Sequence, residues 1–348
     1  MKPELDWSNL AFKHRTTNAM VVSRYKDGVW STPEVTDNFN VELNAYAGVL
    51  HYGSSCFEGL KAFRGADGKV RIFRPDENAA RMRRSGSHLD MAVPDEQLFI
   101  DMCIECVKQN IDYLPPYGYN ASLYIRPLLF GCNPQLGIAS STEVTFAVMC
   151  GPVGTYSGAG SLTPKTAVIS RDYDRAAPFG TGQFKLSANY ATSLHAYNLA
   201  HKIGYGELLF LDPATHSKID EFGSSNFLAI KGSSYVTPLS DSVLPSITNK
   251  SLQSVASDMG LTVEKRPILV EELASFDEVN ACGTAVVITP ICRIDDKSAL
   301  KDGQVTRSFV FGDPEHPACG EISHKMYDIL RGIQDGTVAD THNWCIIL

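Results

Sequence analysis

Residues 181–193 read TGQFKLSANYATS, a lysine set among glycine, alanine and hydroxyl side chains, with Tyr190 five positions after it. Along the chain its nearest charges are Asp174 and Arg175 on one side and Lys202 on the other. A lysine on a solvated face ordinarily has carboxylates close by, and Lys185 has none nearby in the sequence. Its amine is a nucleophile only when deprotonated, which takes desolvation or a neighbouring cation. Small neighbours leave room for a cofactor to approach, yet most lysines are solvated surface groups. Whether Lys185 is a surface charge or a reagent depends on partners elsewhere in the chain.

At 348 residues the chain exceeds one ordinary compact core and predicts two domains. A hydrophobic content of 44% with 20% charged residues describes a globular protein. No apolar run is long enough to span a bilayer, and the N-terminal MKPELDWSNLAFKHR lacks the apolar core of a secretory signal, so the expected location is the cytoplasm with no membrane partner. A net charge of −8 argues against nucleic acid as a partner, because binding phosphate backbones takes a basic field. The nine cysteines are expected as reduced, mostly buried thiols.

From Val41 to Arg74 the chain reads as an antiparallel sheet punctuated by Gly48, Gly53, Gly59 and a turn at Gly65–Gly68. Helices are predicted over Asp76–Ser87, with an N-cap after Pro75, and over Asp95–Asn110; ASLYIRPLLFG and TEVTFAVMCG read as strands. GPVGTYSGAGSLTP, dense in Gly, Pro, Ser and Thr, marks the connection. The expected division is a domain over 1–155, a loop over 156–164 and a second domain over 165–348. In that second part TAVISRDYD, GELLFLD, LTVEKRPI and EVNACGTAVVITPI read as strands, NFLAI and SSYVTPL as a hairpin, and Tyr190–Lys202 and Thr248–Met259 as helices ended by Gly204 and Gly260. The fold class is α+β or mixed α/β.

Three further stretches offer partners for Lys185. IDEFGSSNFLAI sets Asp220 and Glu221 at the mouth of a strand, and a buried carboxylate beside a Schiff-base lysine is what pyridoxal phosphate requires to keep its ring nitrogen protonated. Taken alone, the two acids read more readily as ordinary turn residues. LPSITNKSLQSV places Ser246 and Thr248 at a helix start, where free N–H groups favour an anion, although an ordinary cap uses the same residues. ENAARMRRSG carries Arg81, Arg83 and Arg84, of which one or two can face inward.

FEGLKAF (57–63), FRPDENAARM, SLYIRP, NPQLGI, GPVGTY, GQFKLSANYATSL, IDEFGSSNFL and NACGTAVV occur in this order. Together they resemble the branched-chain amino-acid aminotransferases, fold type IV pyridoxal-phosphate enzymes, over nearly the whole chain. The resemblance implies a smaller N-terminal α/β domain, a larger C-terminal domain with a barrel-like sheet that carries the cofactor lysine, and a homodimer. It implies that Lys185 binds pyridoxal 5'-phosphate covalently and shuttles the substrate proton. Glu221 then pairs with the ring nitrogen and Tyr190 with the phenolic oxygen, while Arg81, Ile247, Thr248 and Thr284 hold the phosphate. Tyr52, Phe57, Tyr124, Arg126 and Tyr156 line the substrate pocket, Ser224 and Ala285 lie near the substrate carboxylate, and Leu136 and Ile138 reach into a dimer partner's site. The implied reaction moves the amino group of L-leucine, L-isoleucine or L-valine to 2-oxoglutarate. The rivals are a D-amino-acid aminotransferase or aminodeoxychorismate lyase, and a non-catalytic relative, which predicts an altered lysine, carboxylate or arginine.

The chain departs from the family in places. Ser246 stands where glycine is often found, Leu186-Ser187-Ala188 where Gly-Gly is common, Ser224 where threonine is frequent, and Val286–Thr289 where vertebrate members carry Cys-x-x-Cys. CIEC at 103–106 reads as two buried helix thiols, and the terminal CIIL as a packed strand in place of a prenylation box. No metal-ligand spacing, Walker loop or Gly-x-Gly-x-x-Gly is present.

Overall fold

Alternating runs of β-branched and aromatic residues build the first sheet. The computed structural model describes residues 5–154 and 162–348. It opens with β1 (Met20–Lys26), β2 (Val29–Trp30) and β3 (Glu34–Thr36), followed by the short helix α1 (Gly48–Tyr52), β4 (Ser55–Phe57), β5 (Leu60–Arg64) and β6 (Val70–Phe73). Helices α2 (Pro75–His88) and α3 (Glu96–Gln109) come next, then the long strands β7 (Ser122–Gly131) and β8 (Val144–Val153). The order is β6-β5-β7-β8-β1-β2, with β4 also on β7 and β3 on β1; the strand Cys345–Ile347 pairs with β6. β7 and β8 hold one register from Ser122 opposite Val153 to Gly131 opposite Val144. The buried residues of α3 (Phe99, Met102, Cys103, Cys106 and Val107) fall on one face and pack with Ile125, Phe146 and Val148. Each large side chain buried this way contributes about 1.5–3 kcal/mol.

In the second unit the strands close on themselves. β9 (Lys165–Ile169) and the helix α4 (Ser187–Lys202) lead to β10 (Glu207–Leu211), β11 (Ile219–Phe222), β12 (Asn226–Lys231) and β13 (Ser234–Pro238). Then come α5 (Ile247–Asp258), β14 (Thr262–Arg266), β15 (Glu278–Gly283), β16 (Val287–Lys297), β17 (Val305–Val310) and α6 (Glu321–Asp335). The path β11-β10-β9-β16-β15-β12 returns to β11 through the pairing of Glu221 with Asn226, giving a closed six-stranded barrel. β13 and β14 extend it from β12, and β17 from β16. The core of this unit includes Ile169, Leu209, Phe222, Phe227, Ala281 and Ile291.

The two units comprise Met1–Gly160, Phe184–Ala188 and Gly332–Leu348, and Ser161–Gln183 with Asn189–Arg331. The sequence reading runs the second domain unbroken from 165 to 348. In the structure the five residues around Lys185 and the last seventeen group with the first unit. The cause is local: Leu186 is buried in the first unit's core and bridges Cys56, and Cys345–Ile347 extends the β6 edge. Most of the expected connecting loop lies outside the described residues.

Three expectations about elements change. Residues 41–54 contain α1, ended by Gly53 at φ 65°, where a strand was expected. Helix α2 has no side-chain cap: Arg74 precedes Pro75 with φ 48° and is held by its N–H to the Trp344 carbonyl (2.8 Å). Helix α6 was not expected because its start is capped from afar, Glu278 accepting from the N–H groups of Ile322 and Ser323 at 3.0 and 2.9 Å. Asp95 does cap α3, accepting from the Leu98 N–H at 2.8 Å.

Candidate active site

The first unit holds Lys185 by its backbone. The Lys185 N–H donates to the Ser85 hydroxyl at 2.9 Å, its carbonyl accepts from the Phe57 N–H at 3.2 Å, and the next residue bridges Cys56. Its ammonium nitrogen lies 4.9 Å from the centre of the Phe57 ring. Phe184, just before it, stacks on His88 at 3.8 Å between centroids. The main chain on both sides is thus fixed, leaving motion to the side chain.

One turn before Ser85 on α2 is Arg81, which meets Glu58 through two nitrogens, Nε to Oε1 at 2.8 Å and NH2 to Oε2 at 2.7 Å. Asn78 adds a bond to Oε2 at 2.7 Å, and both members of the pair are buried. Arg81 is the inward-facing arginine of its triplet, and the sequence reading missed its partner, although Glu58 lies inside FEGLKAF.

Phe57, Tyr124 and Arg126 come together as expected. The Arg126 guanidinium lies 4.7 Å from the Phe57 ring centre and donates to the Tyr124 hydroxyl at 3.0 Å, while its buried Nε has no acceptor. A Cβ at Gly59 would fall 2.1 Å from that hydroxyl, so glycine there leaves the place Tyr124 occupies. Tyr52 donates to the Leu136 carbonyl, and Leu136 and Ile138 are 75% and 89% exposed. Tyr156 lies outside the described residues.

The second unit carries the carboxylate. Asp220 and Glu221 look alike in the sequence but are neighbours on β11 and face opposite ways. Glu221 pairs with Arg175 and accepts from the Leu244 N–H at 2.9 Å and the Asn226 amide at 2.8 Å. Its acid is raised, chiefly by burial, with the charge of Arg175 and these two hydrogen bonds offsetting only part of that. Asp220 is raised to about 6, chiefly by burial, and its Oδ1 has no partner. Arg175 also donates to the carbonyls of Gly182 and Ser242 at 2.7 and 2.9 Å. In the sequence it was visible only as a nearby charge.

At the start of α5 the Ser246 hydroxyl caps the Asn249 N–H at 3.2 Å. Among the described residues, the N–H groups of Ile247 and Thr248 have no acceptor, which is the arrangement that binds an anion. The serine in the glycine position therefore serves as a cap. Gly283 brings the turn of Thr284 and Ala285 beside Ser224, a Cβ there lying 4.0 Å from the Ser224 carbonyl oxygen. Tyr190 is half-buried in the first turns of α4. A buried carboxylate and an unpartnered helix start in one unit suit a protonated pyridine bearing a phosphate. Cys103 and Cys106 are buried on α3, and among the described residues no cluster of metal-ligating side chains occurs. No helix among them is long and apolar enough to cross a membrane.

The family model described as amino-transferase class IV matches residues 55–294. The branched-chain-amino-acid aminotransferase of Helicobacter pylori is 42% identical over 342 residues, covering 98% of this chain and 97% of that one. That of Haemophilus influenzae is 40% identical over 350 residues, covering 99% and 98%. The crystal structure of the Escherichia coli branched-chain amino acid aminotransferase superposes with a TM-score of 0.75 at 25% identity, over 94% of this chain and 98% of that one. The mixed α/β architecture with its closed barrel is that of fold type IV. By the span of the family match and the near-full-length identity, the chain belongs to the class IV aminotransferases, the transaminases that work with pyridoxal 5'-phosphate.

Proposed function

We propose that this chain is a branched-chain-amino-acid aminotransferase, moving the amino group of L-leucine, L-isoleucine or L-valine reversibly to 2-oxoglutarate. The observation that carries the reading is Arg126, stacked on apolar Phe57, bonded to Tyr124 and left with an unpartnered buried Nε. Such a wall accepts an aliphatic side chain against the ring and a distal carboxylate against the guanidinium, as two alternating substrates require. The identity of 40–42% to enzymes of that name supports the same activity.

Pyridoxal phosphate, when bound, supplies an electron-withdrawing ring that acidifies the substrate Cα. Lys185 holds it covalently and carries the proton to and from Cα, its pinned backbone keeping the amine in place. Glu221, paired with Arg175, would meet the ring nitrogen, and Tyr190 the phenolic oxygen. Ile247, Thr248, Thr284 and Arg81 take the phosphate, Arg81 with its charge already matched by Glu58. Ser224 and Ala285 receive the substrate's α-carboxylate, and Tyr52 and Tyr156 complete the pocket. Leu136 and Ile138 are the residues a second copy covers in a homodimer. We place the enzyme in the cytoplasm.

An absorbance spectrum tests the reading. Protein reconstituted with pyridoxal phosphate is expected to show a visible band that L-leucine shifts to the near ultraviolet. A protein that stays colourless, or one that responds to D-alanine and not to L-leucine, overturns it.

A further inference from the structure

The second unit contains a buried polar chain that none of these roles uses. Asn226 donates to Glu221 Oε2 and to the Leu244 carbonyl, at 2.8 and 3.0 Å. Its Oδ1 accepts from Asn249 Nδ2 at 3.2 Å, and the same Nδ2 donates to Thr237 Oγ1 at 2.9 Å. Asn249 Oδ1 accepts from the Tyr235 hydroxyl at 2.9 Å and from Gln253 Nε2 at 2.8 Å. Thr237 passes its own proton to the Phe227 carbonyl at 2.9 Å. Tyr235, Thr237, Asn226 and Asn249 are all buried.

The directions in this chain are forced. Glu221 as a carboxylate only accepts, so Asn226 must turn its NH2 toward it and its oxygen toward Asn249. The Asn226 oxygen then needs a donor, so Asn249 turns its NH2 toward Asn226 and Thr237, which leaves its oxygen to accept from the Tyr235 hydroxyl, whose proton burial retains. With both amide flips determined, the chain has one arrangement from end to end. Asn249 is also the residue whose N–H is capped by Ser246, next to the two unpartnered N–H groups of α5. One end of the chain therefore grips the carboxylate and the other the helix start.

We propose that Asn226 and Asn249 are positioning residues that set the distance between Glu221 and the start of α5, so that one ligand with a protonated ring nitrogen and a phosphate engages both at once. The inference rests on the roles proposed above for Glu221, Ile247 and Thr248. Its signature is a penalty that falls on the joined ligand and spares its phosphate alone, because each end still exists when the link is cut.

The test measures affinity of the apo-protein for pyridoxal 5'-phosphate by fluorescence titration, and for inorganic phosphate by competition, in Asn249→Ala and Asn226→Ala. Pyridoxal phosphate is expected to bind about tenfold more weakly, the loss of one hydrogen bond to a charged or buried group, with inorganic phosphate unchanged. In the Asn226→Ala holoenzyme the pH midpoint of the visible band should rise by about half a unit, since a carboxylate that loses a donor is more basic and draws the ring proton toward itself. Tyr235→Phe removes one donor without changing shape and is expected to give a smaller shift of the same kind, which keeps the test open if an alanine variant does not fold. Equal loss for both ligands, or unchanged affinity with only a lower unfolding midpoint, overturns the proposal. Glu221→Gln separates the two levels. If it leaves the visible band unchanged, the role given to Glu221 fails. If it alters the band while the asparagine and tyrosine variants do not, only the positioning role fails.

Discussion

Among the described residues each unit buries an arginine–glutamate pair, and the two pairs differ in how completely the carboxylate is filled. Around Glu58 the donors are Arg81 Nε and NH2, Asn78 and the Gly59 N–H. Around Glu221 they are Arg175, the Leu244 N–H and Asn226. A carboxylate offers about four acceptor positions, so Glu58 is saturated and Glu221 keeps one to spare. Glu58 thus serves as a filled anchor that holds Arg81 in place, whereas Glu221 has room to accept one further donor. The unpartnered Nε atoms of Arg175 and Arg126 follow the same logic, whereas no nitrogen of Arg81 is orphaned in this way.

The comparison breaks most visibly through Glu58→Gln. Removing one charge of a saturated buried pair leaves Arg81 uncompensated, and a loss of about 3–5 kcal/mol in chemical denaturation is expected, with kcat of the folded fraction largely retained. Comparable stability with collapsed turnover would make Glu58 part of the chemistry. Glu221→Gln should behave in the opposite way. Turnover with L-leucine falls about 100-fold, roughly 3 kcal/mol in the barrier, and the unfolding midpoint moves less than for Glu58→Gln. Equal stability losses in the two variants would erase the distinction.

Asp220→Asn gives the smallest effect and sharpens the contrast between neighbours on one strand. The Asp220 acid is raised from 3.8 to about 6, chiefly by burial, so the folded protein retains a proton that the unfolded chain releases. That favours folding fully below about pH 4, and the benefit is lost as pH rises through about 6. The variant should therefore be more stable than its parent at pH 8, by on the order of 1 kcal/mol, and the difference should shrink to nothing in acid. A difference independent of pH would show that the gain is not electrostatic.

What was legible in the sequence was whatever lay in contiguous text. Lys185, Glu221, Arg81 and the start of α5 each stand in a short motif, and the helices over 76–87 and 95–110 follow from local period and turn chemistry. What was not legible depends on pairing across distance. Arg175 meets Glu221 only after β10 and β11 have formed, and Asn226 meets Asn249 only once β12 and β13 place α5 beside them. The helix α6 owes its start to a glutamate on β15. Composition alone does not tell Asp220 from Glu221, and the alternation of one four-residue strand turns the two acids to opposite faces.

The strand Cys345–Ile347 has a bearing on how the protein is made. It follows α6 in the sequence, yet it pairs with β6 in a unit whose other strands lie before residue 154. During synthesis the β6 edge therefore waits, its peptide groups open to other chains, while about 270 residues emerge from the ribosome. Trp344 stacks edge-on against Phe73 at 5.8 Å, and the Leu348 N–H reaches the Val70 carbonyl at 2.9 Å, so the seal is made by residues 344–348. A nascent chain stalled short of residue 344 carries every residue proposed for the site with an unsealed sheet, the form most exposed to aggregation and to quality control.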